Sequence, residues 1–271
     1  MTTRYDQIRA VIFDWAGTVV DFGSRAPMGA FVEAFKSFDV EITVAEARAP
    51  MGLPKRDHIA AIMADERVAA AWRDRHGNPP SEADIDAVYD VFVPLNVKVV
   101  TDYADLIPGA ADMAATLRAQ GIKIGSTTGY TREIMERLMP VAAEQGFAPD
   151  TLVCTGDLPQ GRPTPFNIYK TLLDLQVHPA WRCVKVDDTV PGIAEGVAAG
   201  CWVVGVSLSG NGVGLSLDEL LDADEDEVEE LSSSAADELL AAGAHLIIDT
   251  VADLPSALAE IQGCLLRGER P

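Results

Sequence analysis

Four apolar runs in this chain end in residues that can do chemistry. The first, Ala10 to Thr18 (AVIFDWAGT), runs into Asp14 and then a Gly-containing turn. It reads as a buried parallel strand that delivers one carboxylate, placed to attack, to the carboxyl edge of a sheet. After the second run comes Ser126-Thr127-Thr128-Gly129, a hydroxyl-rich turn able to hold phosphoryl oxygens with side-chain and backbone donors. The third is followed by Gly161-Arg162-Pro163, a loop cation, and the fourth by the carboxylate pair Asp187-Asp188. Each has a plain reading alone: Asp14 or the hydroxyls as helix caps, Arg162 as a surface cation, the acid pair as a turn. Together, and in this order, they present nucleophile, hydroxyl, cation and acid.

Two different blocks must position these residues. Residues 21 to 100 hold helical patterns and no strand: Met28 to Phe38, Pro54 to Asp65, Arg67 to His76, and Glu82 to Val100 with Ser81 as N-cap. From Asp102 onward strands and helices alternate. Strands are expected at Ile122 to Ser126, Thr151 to Cys154, Arg182 to Val186, Trp202 to Ser207 and His245 to Ile248. That rhythm predicts an α/β fold, a doubly wound and mostly parallel sheet, whose ligands bind beyond the strands' carboxyl ends. Residues 1–20 and 101–271 would form this core, and 21–100 a helical insertion. The acidic run Asp218 to Glu230 reads as a solvated outer helix.

Composition narrows the classes. With 271 residues, 48% hydrophobic, the chain can bury a sizeable core. A formal net charge of −21 argues against nucleic acid or an anionic membrane surface as partner. No run reaches the roughly 18 apolar residues of a membrane span, and the polar start does not read as a signal peptide. Cys154, Cys183, Cys201 and Cys264 have no metal-site or disulfide spacing, so a reducing cytoplasm is the expected compartment.

The order Asp14, Ser126 to Thr128, Arg162, Asp188 resembles the four motifs of the haloacid dehalogenase superfamily. The resemblance implies a Rossmann-like core, an inserted helical cap, and Mg²⁺ held by Asp14, Asp188 and the backbone carbonyl of Ala16. Asp14 would attack phosphorus while Thr128 and Arg162, with Ser126 beside them, hold the oxygens. Two positions depart from the superfamily pattern. Ala16 stands where a general acid is usual, and Gly192 where a further acidic residue is usual, with Asp187 as its possible replacement.

A missing acid points to a leaving group that needs no proton. DWAGT, the stretch Met51-Gly52-Leu53-Pro54-Lys55-Arg56-Asp57-His58 and GSTTGYTRE together resemble the phosphonoacetaldehyde hydrolase family over nearly the full length. The implied reaction cleaves a carbon–phosphorus bond. Lys55 would condense with the substrate aldehyde, so that the protonated imine accepts the electrons and acetaldehyde enamine departs. Such an amine must be partly neutral, its pKa lowered by burial or by Arg56, His58 or the metal. Met51, His58 and Tyr130 would line the substrate or manage protons. A small phosphonate substrate and a homodimer through the cap follow from the same resemblance. The alternative is a Mg²⁺-dependent phosphatase or phosphomutase acting on a small ester, which Ala16 disfavours.

Overall fold

Six strands, the inner ones buried along most of their length and the two at the edges only partly so, form the centre of the computed structural model, which describes residues 4–271. They are β1 (Ala10–Phe13), β2 (Lys123–Thr131), β3 (Thr151–Thr155), β4 (Cys183–Asp187), β5 (Trp202–Val206) and β6 (Leu246–Ile248). All pairings are parallel, in the order β3-β2-β1-β4-β5-β6. A parallel sheet needs both faces covered, and side chains that alternate along β1 meet two separate cores. Val11 and Phe13 pack with α6 (Ala110–Ala119), α7 (Arg132–Glu144) and α12 (Leu254–Leu266). Ala10 and Ile12 pack on the other face, toward α8 (Phe166–Leu175) and α9 (Val190–Ala199). The chain winds outward from β1 to β3, then returns to place β4 on the other side of β1. Sheets of this kind open a crevice at that reversal, and Asp14 and Asp187-Asp188 flank it.

Residues 26–99 are all-helical: α1 (Ala26–Lys36), α2 (Val44–Arg48), α3 (Lys55–Ala64), α4 (Glu66–His76) and α5 (Glu82–Val99). They enclose a core of their own around Phe31, Phe35, Ile59, Trp72 and Phe92. The apolar stretch Ala30 to Phe38 is consumed by that core. Phe31, Ala34 and Phe35 are fully buried within it. Ser81 caps α5 with a reciprocal Ser81–Asp84 box.

Three details differ from the sequence reading. Helix α2 was not expected; it is short, but Thr43 and Glu46 form a capping box that stabilises it. Strand β2 does not stop at Ser126 but runs through the hydroxyl-rich segment to Thr131, with an irregular register between Thr127 and Thr131. The acidic run divides into two helices, α10 (Leu217–Asp222) and α11 (Glu225–Ala241), broken at Ala223 and restarted by the Asp224 side chain as N-cap. Among the described residues no helix is long and apolar enough to cross a membrane.

Candidate active site

The site is a cavity between the sheet's carboxyl edge and the loop that leads into α3. Its lining includes Asp14, Ala16, Thr128, Tyr130 and Arg162 from below, with Met51, Gly52 and Lys55 from above. Asp14 follows β1, its amide donating to the Val186 carbonyl at 3.0 Å. Arg162 lies in the loop after β3 and donates from Nη2 to Asp14 Oδ1 at 2.7 Å and to the Thr127 carbonyl at 2.8 Å. Arg162 Nη2 also lies 3.2 Å from Asp187 Oδ2.

The three carboxylates of Asp14, Asp187 and Asp188 are buried and bring oxygens within 4.8 Å of one another. Burial, then repulsion from Asp187, pushes the Asp14 carboxyl up against the pull of Arg162 and Lys185. Asp188 is pushed further up, by burial and by Asp14 and Asp187. Burial also opposes ionisation of Asp187, but Arg162 and Lys185 outweigh it and its pKa falls. A cluster with two strained carboxylates and only oxygen donors is a fitting receptor for a hard cation.

Gly192 and Asp187 fit together. A Cβ at Gly192 would lie 2.0 Å from the Asp187 Cγ, so the Asp187 carboxylate fills the space a side chain there would need. Its orientation is set by Thr189, whose amide and hydroxyl donate to Oδ1 at 3.0 and 2.7 Å, and by Lys185, 2.8 Å from Oδ2. Asp188 accepts from Thr18 Oγ1 at 3.0 Å and from the Asn211 amide at 2.8 Å.

Lys55 opens α3 and is only 3% exposed. Its Nζ lies 3.7 Å from Met51 Sδ and over the rings of Tyr130 and Phe31, at 5.2 and 5.7 Å. Burial dominates here, and the amine is pushed down to about 8. Neither Arg56 nor His58 is needed for that shift. Arg56 faces solvent in ion pairs with Glu82 and Asp86. His58 is one helical turn behind Lys55, stacked on Phe31 at 4.1 Å, its Nε2 bonded to the Ala47 carbonyl at 2.7 Å. Burial and the neighbouring Lys55 push its pKa down to about 3, so it is neutral, with Nε2–H donating.

Of the residues picked out in the sequence, Asp14, Ala16, Met51, Lys55, Thr128, Tyr130 and Arg162 meet at this one cavity. Ser126, His58 and Asp188 do not line it. Ser126 is fully buried and turned away: its hydroxyl donates to the Phe13 carbonyl at 3.0 Å and accepts from Trp15 Nε1, bracing β1 against β2. His58 supports the lysine from behind. Asp188 borders the adjoining cavity on the far side of Met51. Lys185 and Glu195, both fully buried below the floor, were not anticipated. The available signal was a lysine inside the apolar run CVKV of β4 and the lone charge in VPGIAEGVAA of α9.

Gly52 lets the loop come down onto the core. It takes a left-handed φ of +89°, and a Cβ there would lie 2.3 Å from Thr189 Oγ1. Met51 and Lys55 flank it on the same descent.

Residues 8–200 match the haloacid dehalogenase-like hydrolase family. The chain is 57% identical over 264 residues to a phosphonoacetaldehyde hydrolase of Paraburkholderia phytofirmans, covering 97% of this chain and 99% of that one. It is 50% identical over 268 residues to the Salmonella typhi protein of the same name, covering 98% and 100%. A crystal structure of a phosphonoacetaldehyde hydrolase-like protein from Oleispira antarctica superposes with a TM-score of 0.96 at 44% identity, over 98% of this chain and 96% of that one. A carboxylate-bearing sheet edge, a buried amine and full-length identity at this level agree: the chain is a haloacid dehalogenase-like hydrolase and belongs, within that group, to the phosphonoacetaldehyde hydrolase family.

Proposed function

We propose that this enzyme hydrolyses phosphonoacetaldehyde to acetaldehyde and phosphate, through an imine on Lys55 and a phosphoryl group carried by Asp14. The observation that carries this reading is one cavity holding both a buried carboxylate from the core and a buried lysine lowered to about 8 from the helical insertion. An ester phosphatase has no use for that lysine.

The roles follow from the geometry. Lys55, partly neutral near pH 8, adds to the aldehyde carbon; loss of water leaves a protonated imine. Asp14 attacks phosphorus from below, the carbon–phosphorus electron pair moves into the imine, and the two-carbon fragment leaves as a neutral enamine. Arg162 and Thr128 hold the phosphonyl oxygens, Arg162 with a planar fork suited to that task. Tyr130, whose hydroxyl burial holds protonated, packs against the imine and cannot act as a base at neutral pH. Water then releases phosphate from Asp14 and acetaldehyde from Lys55.

Mg²⁺ is the cation we assign to the three carboxylates, held by Asp14 and Asp188, with the Ala16 carbonyl as a further ligand; it would neutralise charge between nucleophile and phosphonyl group. In this reading residues 21–100 act as a cap domain over a core of residues 1–20 and 101–271. A homodimer in the cytoplasm is the matching assembly and compartment. Four free cysteines, three of them buried, accord with a reducing environment.

The test is chemical trapping. Borohydride added with phosphonoacetaldehyde should fix the two-carbon fragment to Lys55, and Lys55→Ala should lose the adduct and lower kcat/KM by roughly 10³-fold or more. A Lys55→Ala enzyme that turned over phosphonoacetaldehyde at the wild-type rate would refute the reading.

A further inference from the structure

Beneath the cavity floor lies a carboxylate that the scheme above leaves idle. Glu195 is the one charged residue of α9 and is fully buried. Its Oε1 accepts from Asn167 Nδ2 on α8 at 3.0 Å, and its Oε2 from Thr127 Oγ1 at 2.8 Å. The same Oε2 stands 3.3 Å from Arg162 Nε, a charge contact without hydrogen-bond geometry, and 3.8 Å from Lys185 Nζ. Thr127 has a single hydroxyl proton, which goes to Glu195. Its lone pairs are therefore free to receive Lys185 Nζ at 2.9 Å and Arg162 Nη2 at 3.2 Å.

We propose that Glu195 is a positioning residue: by holding the Nε side of Arg162 and orienting Thr127, it aims the guanidinium at the phosphonyl oxygens above Asp14. The proposal rests on the phosphonyl-transfer reading of the site. A guanidinium is planar, so fixing one edge fixes the direction of the others. Its stem is long and flexible, and a second partner behind it removes that freedom. Asn167 holds the other carboxylate oxygen, so Glu195 itself cannot swing away. Without this tether, Asp14 at 2.7 Å and Asp187 at 3.2 Å are the remaining carboxylates in reach of Arg162. Nη2 already rests on them, and without the counter-pull of Glu195 at the Nε side the guanidinium would turn further toward them, away from the substrate.

The experiment uses the full chain with Glu195→Gln, of the same shape but uncharged, and Glu195→Asp, which keeps the charge. Three quantities are read: kcat and KM on phosphonoacetaldehyde, the inhibition constant of inorganic phosphate, and borohydride trapping with acetaldehyde, which carries no phosphorus. For Glu195→Gln the inhibition constant of phosphate should rise and kcat fall, each roughly ten- to a hundredfold, with Glu195→Asp recovering part of both. Acetaldehyde trapping should stay within about twofold of wild type, since Lys55 lies across the cavity. Unchanged phosphate inhibition and kcat in a folded Glu195→Gln enzyme would overturn the proposal. So would an equal loss of acetaldehyde trapping, which would mark a general collapse. If Glu195→Gln does not fold, Lys185→Met combined with Glu195→Gln removes one cation with one anion. Phosphate inhibition as strong as in Lys185→Met alone would then refute the positioning role. Failure of wild-type enzyme to trap either aldehyde would instead sink the imine reading, and leave the phosphate comparison standing.

Discussion

The two halves of the cavity treat charge in opposite ways. On the core side, Asp14, Arg162, Asp187, Lys185 and Glu195 are all buried, and every one has an opposite charge within 4 Å. Charge is kept there by pairing. On the insertion side Lys55 is surrounded by a thioether and aromatic rings, and His58 behind it is neutral. Charge is discouraged there by lack of partners. The lesson is that burial alone decides nothing. Desolvation is the largest single influence on both, but at Arg162 three carboxylates together outweigh it and leave the group more firmly charged, whereas at Lys55 the more distant carboxylates do not, and the amine falls to about 8. Under the proposed function, one half would meet a phosphonyl dianion and the other would keep an amine nucleophilic.

Breaking the core half should have the largest effect. Asp14→Asn removes the attacking carboxylate, and turnover should fall by roughly 10⁴-fold or more. Trapping of acetaldehyde on Lys55 should persist, because Asp14 only opposes the downward shift of the amine and its loss leaves Lys55 at least as neutral; loss of both would show that the halves do not work independently. Chelation is a milder cut. Phosphate release should stop and return on adding Mg²⁺, while acetaldehyde trapping continues. The carboxyls of Asp14 and Asp188 are raised, so protons compete with the cation, and Mg²⁺ binding measured by calorimetry should tighten as pH rises.

The smallest effect should come from making the insertion half slightly polar. Met51→Gln places an amide beside Lys55 Nζ and should stabilise the ammonium, raising its pKa by about half to one unit. In wild type the trapping rate should climb with pH and level off above about 8, since only the neutral amine adds to a carbonyl. In Met51→Gln that rise should move upward, with a roughly three- to tenfold slower rate at pH 7 and little change at pH 9. A pH profile that did not move would mean that the thioether is not part of what keeps the amine neutral.

How much of this the sequence disclosed depended on whether a residue's role was local. Asp14, Arg162 and Asp188 could be found because a strand end followed by a turn positions a side chain wherever it occurs. Lys55 was found only through resemblance; a lysine at the first position of a helix is ordinarily exposed, and nothing nearby in sequence announces the rings of Phe31 and Tyr130 around it. Ser126 was misplaced because three hydroxyl residues in a row look alike until the fold shows where each one sits: Ser126 pairs with Phe13 inside the sheet, Thr127 points to the other face, and Thr128 lies beyond the end of β1. Strand β2 continues through them, so Ser126 braces β1, Thr127 reaches Glu195, and only Thr128 lines the cavity. Asp187 was ambiguous for the same reason. Its direction is settled by Thr189 and Lys185, and by the empty position at Gly192.

Gly52 carries a further consequence. In the proposed mechanism two half-reactions, amine addition above and attack on phosphorus below, share one small molecule, so the stand-off between their platforms must match its length. That stand-off is set where the loop bearing Met51 and Lys55 comes to rest against Thr189, at a place with no room even for a methyl group. A side chain there would act as a spacer, leaving each set of reagents intact but out of step with the other. The calibration of this enzyme thus resides in a position that supplies no functional group at all.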